Sequence, residues 1–134
     1  MKHIKHGLWL CLLIALIACS RLQPIENIAS EPLPAGSEQL ELEQIEAAII
    51  RAGAKRGWIL QAEGSGKLLG TYSPRDHMAK VRVEFDRQQF SIHYADSDNL
   101  LHEGEKIHRN YNRWVNNLRH DIIAEVAALA ATGD

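Results

Sequence analysis

From Gly7 to Ala18 the chain is almost wholly apolar (GLWLCLLIALIA), a density that no other stretch repeats. Beyond it the apolar positions are spaced, and the spacing changes character along the chain. Leu42, Ile45, Ile49 and Ala52 recur at steps of three and four, the signature of a helix with one buried stripe. Ser37 stands where a cap for the free N–H groups is needed. Glu38, Glu41 and Glu43 follow near the positive end of the helix dipole. Lys55 and Arg56 lie at the other end, and Gly57 is a stop signal. The pattern predicts a helix beginning just after Ser37.

The period then falls to two. WILQAE (58–63) and KLLGTY (67–72) flank Gly64-Ser65-Gly66, which reads as a hairpin. In HMAKVRVEFD, Ala79, Val81, Val83 and Phe85 alternate with Met78, Lys80, Arg82 and Glu84. QFSIHY repeats this, with Phe90, Ile92 and Tyr94 opposite Ser91 and His93, after a tight DRQQ turn. Connections this short predict an antiparallel meander of three to four strands. Finally, Ile107, Tyr111, Trp114, Val115, Leu118, Ile122, Val126 and Leu129 fall on one side of a long C-terminal helix. The fold class is therefore α+β: helix, meander, long helix. Both helices should cover the same sheet face, since each has a stripe to bury. On this reading Trp114 belongs to the core.

The apolar run at the start is preceded by a short basic segment, Met1–His6, the layout of a secretory signal. A membrane-spanning helix needs about 20 apolar residues, and Ser20 and Arg21 arrive too early for one. The run closes on Leu16-Ile17-Ala18-Cys19. This stretch resembles the lipobox of bacterial lipoproteins: leucine, a medium apolar residue, a small residue, cysteine. The resemblance implies diacylglycerol on the Cys19 thiol, cleavage before Cys19, and acylation of the new amino group by a palmitate-type chain. It also implies sorting by the next residue. Aspartate there commonly retains the protein in the inner membrane. Ser20 does not, so the implied address is the outer membrane, facing the periplasm. The length is similar to that of short proteobacterial envelope lipoproteins. Several acyl chains are needed for stable anchoring, because each buried methylene contributes only about 0.8 kcal/mol.

Ser20–Ser37, SRLQPIENIASEPLPAGS, holds three of the four prolines and no sustained period. It reads as a flexible tether. The resulting division is a signal peptide at 1–18, lipidated cysteine and tether at 19–37, and one periplasmic domain at 38–134.

Charge narrows the partners. The chain has 15 basic and 17 acidic side chains, and losing Lys2 and Lys5 with the signal leaves 13 against 17, a net charge of −4. That balance gives no general reason to expect nucleic acid or anionic lipid as a partner, since either requires a basic face. Of the two cysteines, Cys11 lies in the signal and Cys19 carries lipid, so no pair is left for a disulfide within the domain.

Candidate chemistry is sparse. Strand parity puts His77 and His93 on opposite faces, and His108 and His120 would be roughly 18 Å apart on a helix. Neither pair converges as zinc ligands must, so no metal and no cofactor is expected. DSDNLLHEGE, from Asp96, departs from a calcium loop at Leu100, Leu101 and Ile107, where that loop wants an acid or amide, a glycine and a glutamate. Ser65, Ser73, Ser91 and Ser97 lack a nucleophile elbow. EGSGKLLG is not followed by a helix that could hold a phosphate. Glu63 and Glu84 share a sheet without any sign of a cleft.

Two surfaces remain. One is the sheet face opposite the helices, with Lys80, Arg82, Glu84 and His93, which would meet an envelope protein or peptidoglycan. The other is the helix segment with Asn110, Asn112, Asn116 and Asn117. Asparagine is a mediocre helix former, so four of them demand a reason. Either they bind a ligand together with the Asp96–Asn99 loop, or some bond loop backbone while the rest face water. The sequence thus describes a lipid-anchored, non-enzymatic envelope protein. The alternative is a ligand-binding or enzyme-accessory domain that uses the amide-rich helix.

Overall fold

The alternation at 78–85 is realised in the computed structural model, which describes residues 21–133. The signal segment and Cys19 lie outside the described residues. Strand β5 (Met78–Phe85) buries Ala79, Val81, Val83 and Phe85 and leaves Arg82 and Glu84 exposed. It pairs with β4 (Lys67–Tyr72) on one side and β6 (Gln89–Asp98) on the other. β4 in turn pairs with β3 (Ile59–Gly64) through the Ser65-Gly66 turn. All of these pairings are antiparallel. Helix α1 (Leu42–Ala54) precedes the meander, and α2 (Arg109–Thr132) follows it. The stripes of both helices and the inward face of the sheet form one continuous core, including Ile45, Ile49, Val81, Val83, Ile92, Val115, Leu118 and Ile122. The architecture is α+β, with a long C-terminal helix.

The segment read as a tether is instead folded into the domain. β1 (Leu22–Pro24) pairs with β7 (Lys106–His108) in a two-stranded sheet. β2 (Ile28–Pro32) adds a fifth strand at the edge of the main sheet, whose order is β2-β6-β5-β4-β3. Ile28 and Leu33 are buried, and the Ser37 hydroxyl donates to the Arg87 carbonyl at 2.7 Å. The prolines fit because they end strands: Pro24 closes β1 and Pro32 closes an edge strand, where a missing N–H is tolerated. The apolar period is hidden by a register shift between Ile28 and Glu31, where Ser30 adopts φ 50°.

Three boundaries also differ. α1 starts at Leu42, with Glu41 as its cap and Gln44 completing a reciprocal capping box. Leu40 is buried in extended conformation and cannot join the helix. β6 runs on to Asp98, because a bulge opposite Lys80/Val81 carries the pairing past Tyr94. Ile107 belongs to β7, and α2 begins after His108, whose Nδ1 accepts the Asn110 N–H at 3.1 Å.

At its far end α1 stops as expected. Gly57 takes φ 95°, and the Trp58 N–H returns to the Gly53 carbonyl at 3.0 Å. Gly53 has no side chain where α1 meets the sheet; a Cβ there would stand 2.4 Å from Leu60 Cδ1.

The ends of the domain can be ordered from these pairings. The Tyr72/Ala79 and Met78/Asp98 pairs mark one end of the sheet. The Phe85/Phe90 pair and the Phe85 N–H to Gly66 carbonyl bond mark the other. The His108 N–H donates to Leu100, just past β6, so α2 starts at the first end. Its last turns approach Gly36 at the second.

Candidate functional site

The turn that ends α1 delivers Trp58 to the start of β3, next to the end of β4. The register Ile59–Thr71 sets Trp58 across from Tyr72. Their rings stack with centroids 5.2 Å apart and planes 27° from parallel. Trp114, from the second turn of α2, meets Tyr72 edge-on at 5.2 Å, and His77 stands 6.2 Å beyond it. Both ring geometries are favourable for aromatic pairs. Trp58, Tyr72 and Trp114 line a cleft of about 330 Å³, together with Arg56, Arg113 and Asn117.

Trp114 is half-buried against the core rather than enclosed by it. This corrects its assignment as a core residue: the apolar stripe of α2 is wider than the contact it makes, and Trp114 lies at the margin. Arg56 is held by Asp121, with Nε 2.5 Å from Oδ2. Arg113 donates to the Asn110 side chain at 2.8 Å. The lining therefore offers aromatic rings, two guanidinium groups and an amide, with no carboxylate. Such a lining can hold a ligand by stacking and by donated hydrogen bonds.

No protein-family model, curated protein or solved structure matches the chain.

The four asparagines divide by role. Asn112 is buried and clamps the N-terminal segment. Its Oδ1 accepts the Glu26 N–H at 3.0 Å, and its Nδ2 donates to the Pro24 carbonyl at 2.9 Å and to Gln23 Oε1 at 3.1 Å. Asn116 donates to Glu26 Oε2 at 3.1 Å. Asn110 accepts from Arg113, and only Asn117 lines the aromatic cleft. Two of the four thus serve structure, which accounts for their place in a helix.

The stretch Asp96–Asn99 is not a loop beside these amides. Asp96 and Asp98 are exposed on β6, and Asn99 bonds Asp76 while its carbonyl accepts from His77 Nδ1 at 2.8 Å. Lys80, Arg82, Glu84 and His93 do share the open sheet face. Arg82 lies opposite His93, Glu84 opposite Ser91 and Lys67, and Arg82 bonds Glu63 at 3.1 Å. Among the described residues no element covers this face. Its charges alternate in sign across the strands, as in a solvated surface.

Trp58, Tyr72, Arg56 and Arg113 were not singled out by the sequence. One signal was available: two aromatics at the open ends of a hairpin are cross-strand neighbours. Among the described residues no group of three or more His, Cys, Asp or Glu is placed to hold a metal ion.

Proposed function

We propose that the protein is a lipid-anchored component of a bacterial envelope whose periplasmic domain is a non-enzymatic binding module. The observation that carries this reading is the lipobox Leu16-Ile17-Ala18-Cys19, which ends an apolar run too short to span a bilayer. Its cysteine stands three positions before the first strand, so the signal ends where the folded domain begins. Ser20 favours the outer membrane. The test is acyl labelling with membrane fractionation. Wild-type protein should take up label and sediment with outer membranes. Cys19→Ser should lose the label and leave a precursor or a soluble species. Undiminished label in Cys19→Ser contradicts the reading.

A second reading concerns the ligand. The cleft, in which buried Trp58 backs the half-buried Tyr72 and Trp114 and Arg56, Arg113 and Asn117 form the rim, favours a saccharide, whose ring faces stack on exposed aromatic edges and faces and whose oxygens accept from guanidinium and amide groups. Titration with an N-acetylglucosamine oligomer should shift tryptophan emission in the wild type and not in Trp114→Ala. No shift in the wild type removes this class of ligand.

A further inference from the structure

The folding of residues 22–32 changes where the domain must stand relative to the bilayer. Only Ser20 and Arg21 separate Cys19 from β1. Three fully extended residue steps span at most about 11 Å. The polar headgroup zone is itself roughly 5–7 Å deep on each side of the hydrocarbon. An acylated Cys19 therefore holds Leu22 within a few ångströms of the headgroups, and the end of the domain that contains Leu22 must face them.

That end is chemically distinct. Leu22 pairs with His108, and the Arg109 N–H donates to the Arg21 carbonyl at 2.8 Å. The β4–β5 loop, with Arg75, and the start of α2, with Arg109 and Arg113, lie at this same end. Arg21, Arg75, Arg109 and Arg113 are all exposed. Asp76 and Asp98 accompany them, Glu26 lies beside Arg109 and Arg113, and Glu103 and Glu105 follow Leu101 in its loop; of these, Asp76 is engaged by Asn99 and lies 3.6 Å from His77, and Glu26 is engaged by Asn116. His108, in the middle of this group, is held below its ordinary range, first by burial and then by Arg109, Arg21, His77 and Arg113. Leu101 is 56% exposed at φ 56°, in the loop that leaves β6 here, and is one of only two large apolar side chains so exposed among the described residues. Four exposed arginines and an exposed leucine thus stand where the anchor enters, with Asp76 and Glu26 drawn into bonds to neighbouring amides.

We propose that this end of the domain docks on the anionic phospholipid headgroups of the membrane that holds the Cys19 anchor. The inference rests on the lipid-anchor reading. Arginines near an anionic surface each strengthen association about fivefold, and Leu101 reaches past the headgroups as an interfacial side chain does. Docking fixes the orientation of the body. α2, 24 residues long, rises away from the membrane over about 36 Å. The aromatic cleft, whose Trp114 is in the second turn of α2, is held near the surface, and the Ser65-Gly66 and Asp86–Gln89 turns point into the periplasm.

The experiment uses the full lipidated protein reconstituted into phosphatidylcholine vesicles with or without phosphatidylglycerol. Cys19 is acylated, so Ser73→Cys at the docking end or Ser65→Cys at the opposite end supplies a single thiol for a fluorophore. The two ends are separated by the length of β5, eight residues or roughly 25 Å. Headgroup-nitroxide lipids should quench the label at 73 strongly in phosphatidylglycerol vesicles, weakly in phosphatidylcholine or high salt, and leave the label at 65 unquenched. Arg109→Glu with Arg113→Glu should lower the docked-to-free ratio by roughly twentyfold or more while circular dichroism and vesicle attachment stay unchanged. Equal quenching at 73 and 65, or quenching at 73 that ignores phosphatidylglycerol and the double variant, overturns the docking. Intact mass measured on the same samples separates the two readings. A missing acyl mass on Cys19 overturns the anchor and this inference with it, whereas equal quenching with the acyl mass present overturns this inference alone.

Discussion

Replacing Asn112 with alanine reverses sign depending on whether residues 22–27 belong to the domain. Asn112 is buried and bonds Glu26 N–H, Pro24 C=O and Gln23 Oε1 at 3.0, 2.9 and 3.1 Å. A typical hydrogen bond contributes about 0.5–1.5 kcal/mol net, and a buried backbone group left unpaired costs about 1–3 kcal/mol. Losing all three bonds should cost about 3 kcal/mol. Alanine returns roughly 0.6 kcal/mol as the better helix former. The net loss is about 2–3 kcal/mol, a large part of the 5–15 kcal/mol typical of a domain, and should lower Tm by roughly 10 °C. Urea unfolding followed by circular dichroism measures it. If the segment were a free tether, Asn112 would face solvent and the substitution would raise stability by about 0.5 kcal/mol. An unchanged or higher midpoint would refute the clamp.

Three further outcomes follow from local packing. Tyr111 is fully buried and its hydroxyl has no partner; burial, followed by the proximity of Tyr94, pushes its pKa well above the ordinary value. Tyr111→Phe should therefore match or exceed wild type by about 1 kcal/mol in thermal melts. Because the folded-state pKa is raised, the neutral phenol favours the fold below the unfolded pKa of about 10, and stability falls as pH rises beyond it. Tyr111→Phe should flatten that alkaline slope, and an identical slope would contradict the assignment. Trp114→Ala should cost less than the roughly 3–5 kcal/mol of an enclosed tryptophan, because one side of the ring borders the cleft; a melt showing complete unfolding would return Trp114 to the core. Gly53→Ala should destabilise by about 1–2 kcal/mol despite the gain in helix propensity, since the new Cβ meets Leu60 and Trp58 in a packed core. A higher Tm would show that Leu60 can move aside.

The parts legible in the sequence were those where one period runs uninterrupted between punctuation marks. The β3–β4 hairpin declares itself through Gly64-Ser65-Gly66, and β5 through eight alternating positions. The stripe of α2 from Tyr111 to Val126 is regular and buried at Tyr111, Val115, Leu118, Ile122 and Val126. What misled was irregularity. The Ser30 bulge hides β2, and the bulge opposite Lys80/Val81 carries β6 past Tyr94 to Asp98, into the stretch read as a loop. Ile107 continues the spacing of the α2 stripe by coincidence, while its backbone pairs with Gln23. Of the cleft, only the cross-strand pair Trp58 and Tyr72 was legible, and the rest was hidden for a different reason. Its walls come from the α1–β3 turn, the end of β4 and the second turn of α2, far apart in the chain and brought together only by packing. The open face was legible because parity alone fixes Lys80, Arg82 and Glu84 on one side. The role of the asparagines was not, since nothing local tells Asn112, a clamp, from Asn117, a cleft residue.

With Cys19 acylated as proposed, the folded domain begins directly after the anchor. Hydrogen exchange with mass spectrometry on the full-length protein extracted from membranes tests it in a single peptide, the one from Cys19 through Leu33. The expected result is the acyl mass on Cys19 together with slow exchange at Ile25, Glu26 and Leu33, whose N–H groups bond Glu105 at 2.8 Å, Asn112 at 3.0 Å and Gln88 at 2.8 Å. A peptide without the acyl mass, or one that carries it but exchanges through Leu33 at the rate of an unstructured chain, would contradict it.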